Sequence, residues 1–517
     1  MAKLETKPSM VMASSESSAG SNVPPPCTLS GPSTATEHES PEKQSGRAVL
    51  DADDTDPSLP QNWSSKRKWM IVIVLSLMSL MVNMSLVICA PASSAIAEDF
   101  GNHDSFLSVI YITVTNLGQV ISPLYVGPLS ERLGRMPVCH FFNLLFLIFT
   151  MVAGFSNSFP MVIVFRFLAG SSIASICLNP AITGDLFAIK KRGSAMSITS
   201  MIPILGSAVG PIAGGYITQY LSWRWTFWLM AITTGGVSIL MALVLKESYV
   251  PVIRRKALKK ASPNRERVSS TSKYFTGWNR ATVKALVLLV IRPFVILSSS
   301  RIAVLMGLYL AVLFAYISLV AATLATIFQE VYGFSESQSG LVYIALTIGT
   351  LSGALMCNFT LDYFLQRGLP LTKPVVNDGT AALPRPENRL IPIIPAMLAF
   401  PVGLLLYGWS LQQRFHWIVP TIATVLCGFS LSSSTTPIMN YLVDVFGDRA
   451  ASAVAAVLPL RYIAGAFLPV AAPYMYATLG YGWGNSLLAF VLCVVAPIPL
   501  LVIVQPQRMR ALTEVRS

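Results

Sequence analysis

The residues with the most chemistry in them are a few charges standing where charge is expensive. Gly127-Pro-Leu-Ser-Glu131-Arg132-Leu-Gly134-Arg135 places one acid and two arginines between glycines that permit a tight reversal. That set suits a charge network rather than bond-making. Arg166, in Arg166-Phe-Leu-Ala-Gly170, stands inside a long apolar run. A cation there is expected to face a protein interior and to have a purpose, with carbonyl-satisfied packing as the bland alternative. Gly206-Ser-Ala-Val-Gly210-Pro211-Ile-Ala-Gly214-Gly215 spaces glycines by four, which makes a flat helix face, and its proline permits a kink. The four histidines are dispersed and no phosphate-binding Gly-x-x-x-x-Gly-Lys-Ser/Thr string occurs, so neither an enzyme nor an ATP-driven pump is expected. The seven cysteines are scattered without metal spacing and read as small buried hydrophobes.

The elements that must hold these residues follow from composition. Of 517 residues, 53% are hydrophobic and only 12% charged, with a mean hydropathy of +0.60. An ordinary soluble enzyme, a disordered protein and a disulfide-rich module are excluded, and a membrane protein remains. A span needs about 20 apolar residues. Twelve such runs occur, near 69–90, 106–126, 137–155, 161–183, 195–219, 225–246, 301–326, 338–360, 390–409, 417–441, 450–476 and 484–504. The apolar stretch 284–300, split by Arg292-Pro293, reads as an interfacial lead-in.

Residues 1–60 are rich in Ser, Pro, Thr and Glu and read as a disordered tail without the early apolar core of a signal peptide. The expected organisation is that tail, a six-helix half over 61–246, a basic linker over 247–300, a second six-helix half over 301–505 and a tail over 506–517. Placing both termini inside puts 21 basic residues in internal loops and only Arg224 and Arg414 in external ones. That asymmetry predicts cytoplasmic termini. The linker's basic residues set orientation and could also touch anionic headgroups. The net charge of +13 is therefore assigned to one membrane face rather than to nucleic acid. The glycosylation sequons at Asn62, Asn83 and Asn358 are expected to go unused.

The halves echo each other. Gly184-Asp185-Leu-Phe follows the fourth run and Val443-Asp444-Val-Phe the tenth, each trailed by a basic residue, Arg192 or Arg449. A proline follows in the next helix of each half, Pro211 or Pro469. Parallel repeats of this kind place a substrate site between halves at mid-membrane. The runs contain no Asp or Glu; all fifteen acids after residue 60 lie in loops or at helix ends. Proton coupling would then use a helix-end carboxylate such as Asp185, or a water near Arg166.

The stretch Gly127–Arg135 resembles motif A of the major facilitator superfamily, G-x-L-a-D-R-x-G-R-k, with Glu131 for the usual Asp and Met136-Pro137 for the usual basic residue. Arg166-x-x-x-Gly170 resembles motif B, whose arginine is associated with proton coupling. The Gly206–Gly215 string resembles motif C, the antiporter motif. Asn62-Trp63, Arg192-Gly-Ser-Ala-Met-Ser, Glu247-Ser-Tyr249-Val-Pro251, Pro386-Glu387-Asn-Arg389-Leu and Gly482-Trp483-Gly484-Asn485-Ser bring the match, over about 56–505, to fungal twelve-span drug:proton antiporters.

The resemblance implies an all-α fold of twelve transmembrane helices in two halves. It also implies export of a drug-like or metabolite molecule across a plasma membrane by proton antiport. Gly127, Glu131, Arg132, Gly134, Arg135 and Asp185 would form the conformational charge relay, with Glu131, Arg135 and Asp185 clustered. Arg166 would serve coupling, and Gly206, Gly210, Pro211, Gly214 and Gly215 the antiporter helix. The cavity helices would offer Asn83, Asn116, Gln119, Asn179, Tyr309, Tyr316, Ser433 and Asn440, which suit a neutral or weakly anionic molecule. No cofactor, metal or nucleic acid is expected; the partners are a small-molecule substrate and the bilayer, and the chain is expected to act as a monomer. Facilitated diffusion, import of an organic acid or nutrient, and a non-transporting receptor remain open.

Overall fold

A backbone in hydrocarbon must satisfy its own hydrogen bonds, so apolar runs of this length become helices. The computed structural model describes residues 59–101, 105–187, 189–261, 300–367, 386–446 and 450–505, and among them there is no strand. Most of the N-terminal tail, the linker beyond 261 including Arg292-Pro293, Lys373, Arg385, Arg449 and the C-terminal tail lie outside the described residues.

The first half comprises α1 Ser65–Val87, the short α2 Ser93–Asp99, α3 Ser105–Leu133, α4 Arg135–Gly154, α5 Phe159–Ser171, α6 Ser175–Leu186, α7 Ile189–Ile204, α8 Gly206–Tyr220 and α9 Arg224–Val244. After the amphipathic α10 Val250–Ala261 come α11 Arg301–Tyr332, α12 Glu336–Leu341, α13 Tyr343–Arg367, α14 Ile393–Gln412, α15 Ile418–Phe446, α16 Ala450–Val495 and α17 Pro497–Val504. The twelve expected crossings are present. Three are built from paired helices: α5 with α6, α7 with α8, and α12 with α13. The eleventh and twelfth share α16, which reverses at Gly480 with φ +72°. That turn is held by Gln412 of α14, whose Oε1 accepts from the Gly482 amide at 2.6 Å.

The fourth crossing departs from the expected continuous helix. It breaks at residues 172–174, and the carbonyls of Ser171 and Ile173 accept from the hydroxyls of Tyr125 and Ser122 on α3. Neighbouring hydroxyls thus re-satisfy the interrupted backbone, as a membrane helix requires. Side chains on the outer faces, such as Leu243, Phe359 and Leu398, are largely exposed apolar groups that suit lipid contact.

The halves share one apolar core, to which the first half contributes at its face away from the basic loops. Met84, Ile88, Tyr111, Phe159 and Trp223 of the first half join Leu310, Val320, Phe328 and Tyr343 of the second. Toward the basic face the first half has its own core of Ile71, Leu75, Phe142, Leu178 and Ile182. Polar contacts between the halves include Ser207 Oγ with Thr347 Oγ1 at 2.9 Å in mid-crossing, and a group at the face away from the basic loops. Ser93 Oγ meets Thr326 Oγ1 at 3.1 Å, Ser94 Oγ donates to Gln329 Oε1 at 3.3 Å, and Gln329 Nε2 donates to the Pro91 carbonyl at 3.2 Å. The halves are therefore joined at the face opposite the basic loops.

Candidate functional site

On the basic face, Gly134 takes φ +104° and ends α3, so that α4 starts at Arg135. Glu247, just beyond α9, accepts from the Arg135 amide at 2.9 Å and the Met136 amide at 3.4 Å. A carboxylate at a helix N-terminus satisfies free amides and meets the positive end of the helix dipole. The Arg135 side chain donates to Ser130 Oγ at 2.8 Å and pairs with Asp185 Oδ2 at 3.4 Å, while Tyr249 lies beneath its guanidinium at 4.9 Å. Ser248 Oγ adds a bond to the same Asp185 oxygen at 3.4 Å.

Of the three residues expected to cluster, one departs. Arg135 and Asp185 meet, Glu131 is exposed, and Glu247 supplies the acid at the start of α4. Gly127 has open space around it, and Arg132 is half-buried in the last turn of α3. The echo between halves is physical: Arg389, just before α14, pairs with Asp444 at 2.5 Å, as Arg135 pairs with Asp185.

Burial pushes the Asp185 carboxyl up from its ordinary value; Arg135 and then Ser248 pull the other way without cancelling it. Such a group favours the fold below its ordinary pKa, and that advantage is lost as pH rises through the raised value. Asp185→Asn should therefore leave the unfolding midpoint at neutral pH unchanged or raised, within the ~1 kcal/mol range of such pairs. The parent should lose stability relative to the variant as pH rises through the acid range. A midpoint in the variant well below the parent's at neutral pH would mean that the charge itself stabilises the fold.

Arg166 is 3% exposed, in α5. Nη1 donates to Cys89 Sγ at 3.1 Å and Nη2 to the Ile112 carbonyl at 3.4 Å, with the Tyr111 and Phe227 rings at 5.7 and 5.9 Å. A small cavity beside it is lined by Ser85, Thr115, Thr150, Phe165 and Phe227. Arg166 Nε, Thr115 Oγ1 and Thr150 Oγ1 are buried there without a partner among the described residues. Gly170 is explained by packing: a Cβ there would strike the Thr115 carbonyl.

The antiporter-type string does two jobs. Cβ atoms at Gly206, Gly210 and Gly214 would strike the carbonyls of Leu80, Met84 and Ile88, so this face of α8 lies directly on α1. Gly215 faces the Glu336 carbonyl of α12, and Gly340 of α12 faces the Pro211 carbonyl. The same helix thus seals its own half and touches the other.

The cavity candidates divide. Asn116 Nδ2 reaches across the halves to the Gly465 carbonyl at 3.5 Å. Gln119 Nε2, Asn179 Oδ1 and Ser433 Oγ are buried without partners among the described residues. Asn179 also ties α6 to α1, donating to the Leu75 carbonyl at 2.9 Å and Ser79 Oγ at 2.6 Å. Asn83 and Asn440 bond back to their own helices. Tyr309 packs in the second half with its hydroxyl 3.5 Å from Ser434, and Tyr316 packs edge-on to Phe400. Glu247 and Arg461 were not among the expected site residues. Arg461 stands within the eleventh run and carries the same signal as Arg166.

Twelve helical crossings in two six-helix halves define a multi-pass membrane protein. The chain belongs to the Major Facilitator Superfamily, which matches residues 72–469. It is 37% identical to the MFS transporter cpaT of Aspergillus oryzae over 447 residues, 86% of this chain and 88% of that protein. It is 35% identical to the efflux pump radE of Floropilus chiversii over 495 residues, covering 96% and 90% of the two chains. Its fold is similar to the xylose transporter XylE from E. coli in a partially occluded inward open conformation. The TM-score is 0.62 at 17% identity, over 85% of this chain and 97% of that one.

Proposed function

We propose that the protein exports a small organic molecule across the plasma membrane by proton antiport, with both termini cytoplasmic and a single chain as the working unit. The carrying observation is the Gly206–Gly215 helix, whose glycines lie on α1 while Gly215 and Pro211 meet α12 of the other half. A helix shared between halves couples rearrangement inside one half to the gate between them. The name of the efflux pump radE supports the export direction. For coupling, the cavity beside Arg166 offers hydroxyls for a proton-carrying water, and the fixed guanidinium would repel that proton toward release. Asp185 supplies a titratable carboxyl at the basic face.

Expression in yeast cells stripped of their own exporters tests this reading. Cell content of a panel of fungal metabolites is measured with and without a protonophore. Lower content of at least one compound, restored by the protonophore, is the expected result. Lowering that ignores the protonophore points to facilitated diffusion, and raised content to import.

A further inference from the structure

We infer that the substrate carries an acidic group and that Arg461 is the residue that docks it. This rests on the transport reading above and adds the chemical class of the cargo. Arg461 stands in α16 well inside the eleventh crossing. On that crossing the lipid-type face shows Ile463, Phe467 and Tyr474, which are 42%, 62% and 61% exposed. At about 100° per residue, Arg461 and Gly465 fall on the other side.

That side faces the seam between halves. The Gly465 carbonyl, one turn from Arg461, accepts from Asn116 of α3. A Cβ at Gly465 would strike the Phe314 ring of α11 at 2.5 Å. Arg461 itself lies over that ring at 4.2 Å, with the Tyr462 ring at 5.8 Å. The guanidinium is therefore where α3, α11 and α16 meet.

Arg166 and Arg461 differ in one decisive respect. Arg166 is enclosed and donates to a sulfur and a carbonyl. Arg461 is partly exposed, its Nε is buried without a partner, and no ion pair or hydrogen bond engages its guanidinium among the described residues. A guanidinium stacked on a ring keeps its in-plane N–H fork free, and that fork matches a carboxylate with two parallel bonds. The runs carry no acid to occupy it. Asn116 adds an amide at the seam, and Gln119 Nε2, three residues on, adds an unpartnered donor. An unpaired cation, the unpartnered Gln119 amide donor and two aromatic rings fit an organic acid with an apolar body.

The test compares 2-naphthoate with 2-naphthamide, which differ in charge but little in shape. The full chain in detergent is held at neutral pH, where the acid is ionised. Affinities are read from the dependence of the unfolding midpoint on probe concentration. The acid should bind more tightly than the amide by about tenfold or more, with the preference lost in Arg461→Gln and partly kept in Arg461→Lys. Equal stabilisation of the parent by both probes, including none by either, overturns the proposal without need of a variant. So does an acid preference that survives Arg461→Gln. An importer would show the same preference, so failed export with the preference intact strikes the export reading and leaves this one standing.

Discussion

Arg166→Ala should leave an assembled protein that still passes substrate downhill but has lost about tenfold or more of its accumulation against a gradient, the equivalent of 1.4 kcal/mol. The side chain is enclosed, so the substitution opens a void and removes two modest donor contacts, to Cys89 and to the Ile112 carbonyl. It also removes a charge whose insertion into hydrocarbon costs at least ~2.5 kcal/mol. Folding should therefore not depend on the charge. Coupling should, because the guanidinium is the charge among the described residues that borders the cavity of Ser85, Thr115 and Thr150. Arg166→Lys keeps the charge without the forked geometry and should retain part of the accumulation. Uptake into acid-loaded inside-out vesicles separates uphill from downhill transport. Normal uphill uptake by Arg166→Ala would remove the residue from the coupling path.

The features legible in the sequence were those with a local signature. Long apolar runs specify crossings because each one satisfies its backbone alone. The glycine spacing of α8 specified close packing because helix periodicity fixes which residues share a face. Features made by residues distant in the chain were not legible. Glu247 lies 112 residues beyond Arg135, and nothing near it announces that its carboxylate caps α4. The break in the fourth crossing falls in Ser171-Ser172-Ile173-Ala174, which has no proline or glycine, and the hydroxyls that permit it come from Ser122 and Tyr125. Tyr309 and Tyr316 pack within the second half, against Ser434 and Phe400, partners more than 80 residues away that no local pattern in α11 announces. Arg461 was legible by the same rule as Arg166 and gains its meaning only when Phe314 and Asn116 are seen beside it.

Gly214→Leu and Gly215→Leu, adjacent in sequence, should fail in different ways. At Gly214 even a Cβ would overlap the Ile88 carbonyl of α1, inside the first half. That contact belongs to the packing of one bundle, and overpacking of this kind costs ~1–3 kcal/mol or more in any conformation. Gly214→Leu should therefore lower the amount of folded protein in the membrane. At Gly215 the overlap is with Glu336 of α12, across the halves. It sits at the face where Ser93, Ser94 and Pro91 meet Thr326 and Gln329. A leucine there penalises only the arrangement closed at that face, and a state with the halves parted escapes the clash. Protein levels should stay near the parent's while the population shifts by about tenfold per 1.4 kcal/mol of clash. A cysteine placed at Thr326, opposite Ser93, reports the shift. An impermeant thiol reagent should label it slowly in the parent and several-fold faster with Gly215→Leu, and transport should fall because one end of the cycle is no longer reached. Unchanged labelling with lost transport would place the Gly215 contact outside the gate. A drop in protein level as large as that of Gly214→Leu would mean that the α8–α12 contact belongs to assembly rather than to alternating access.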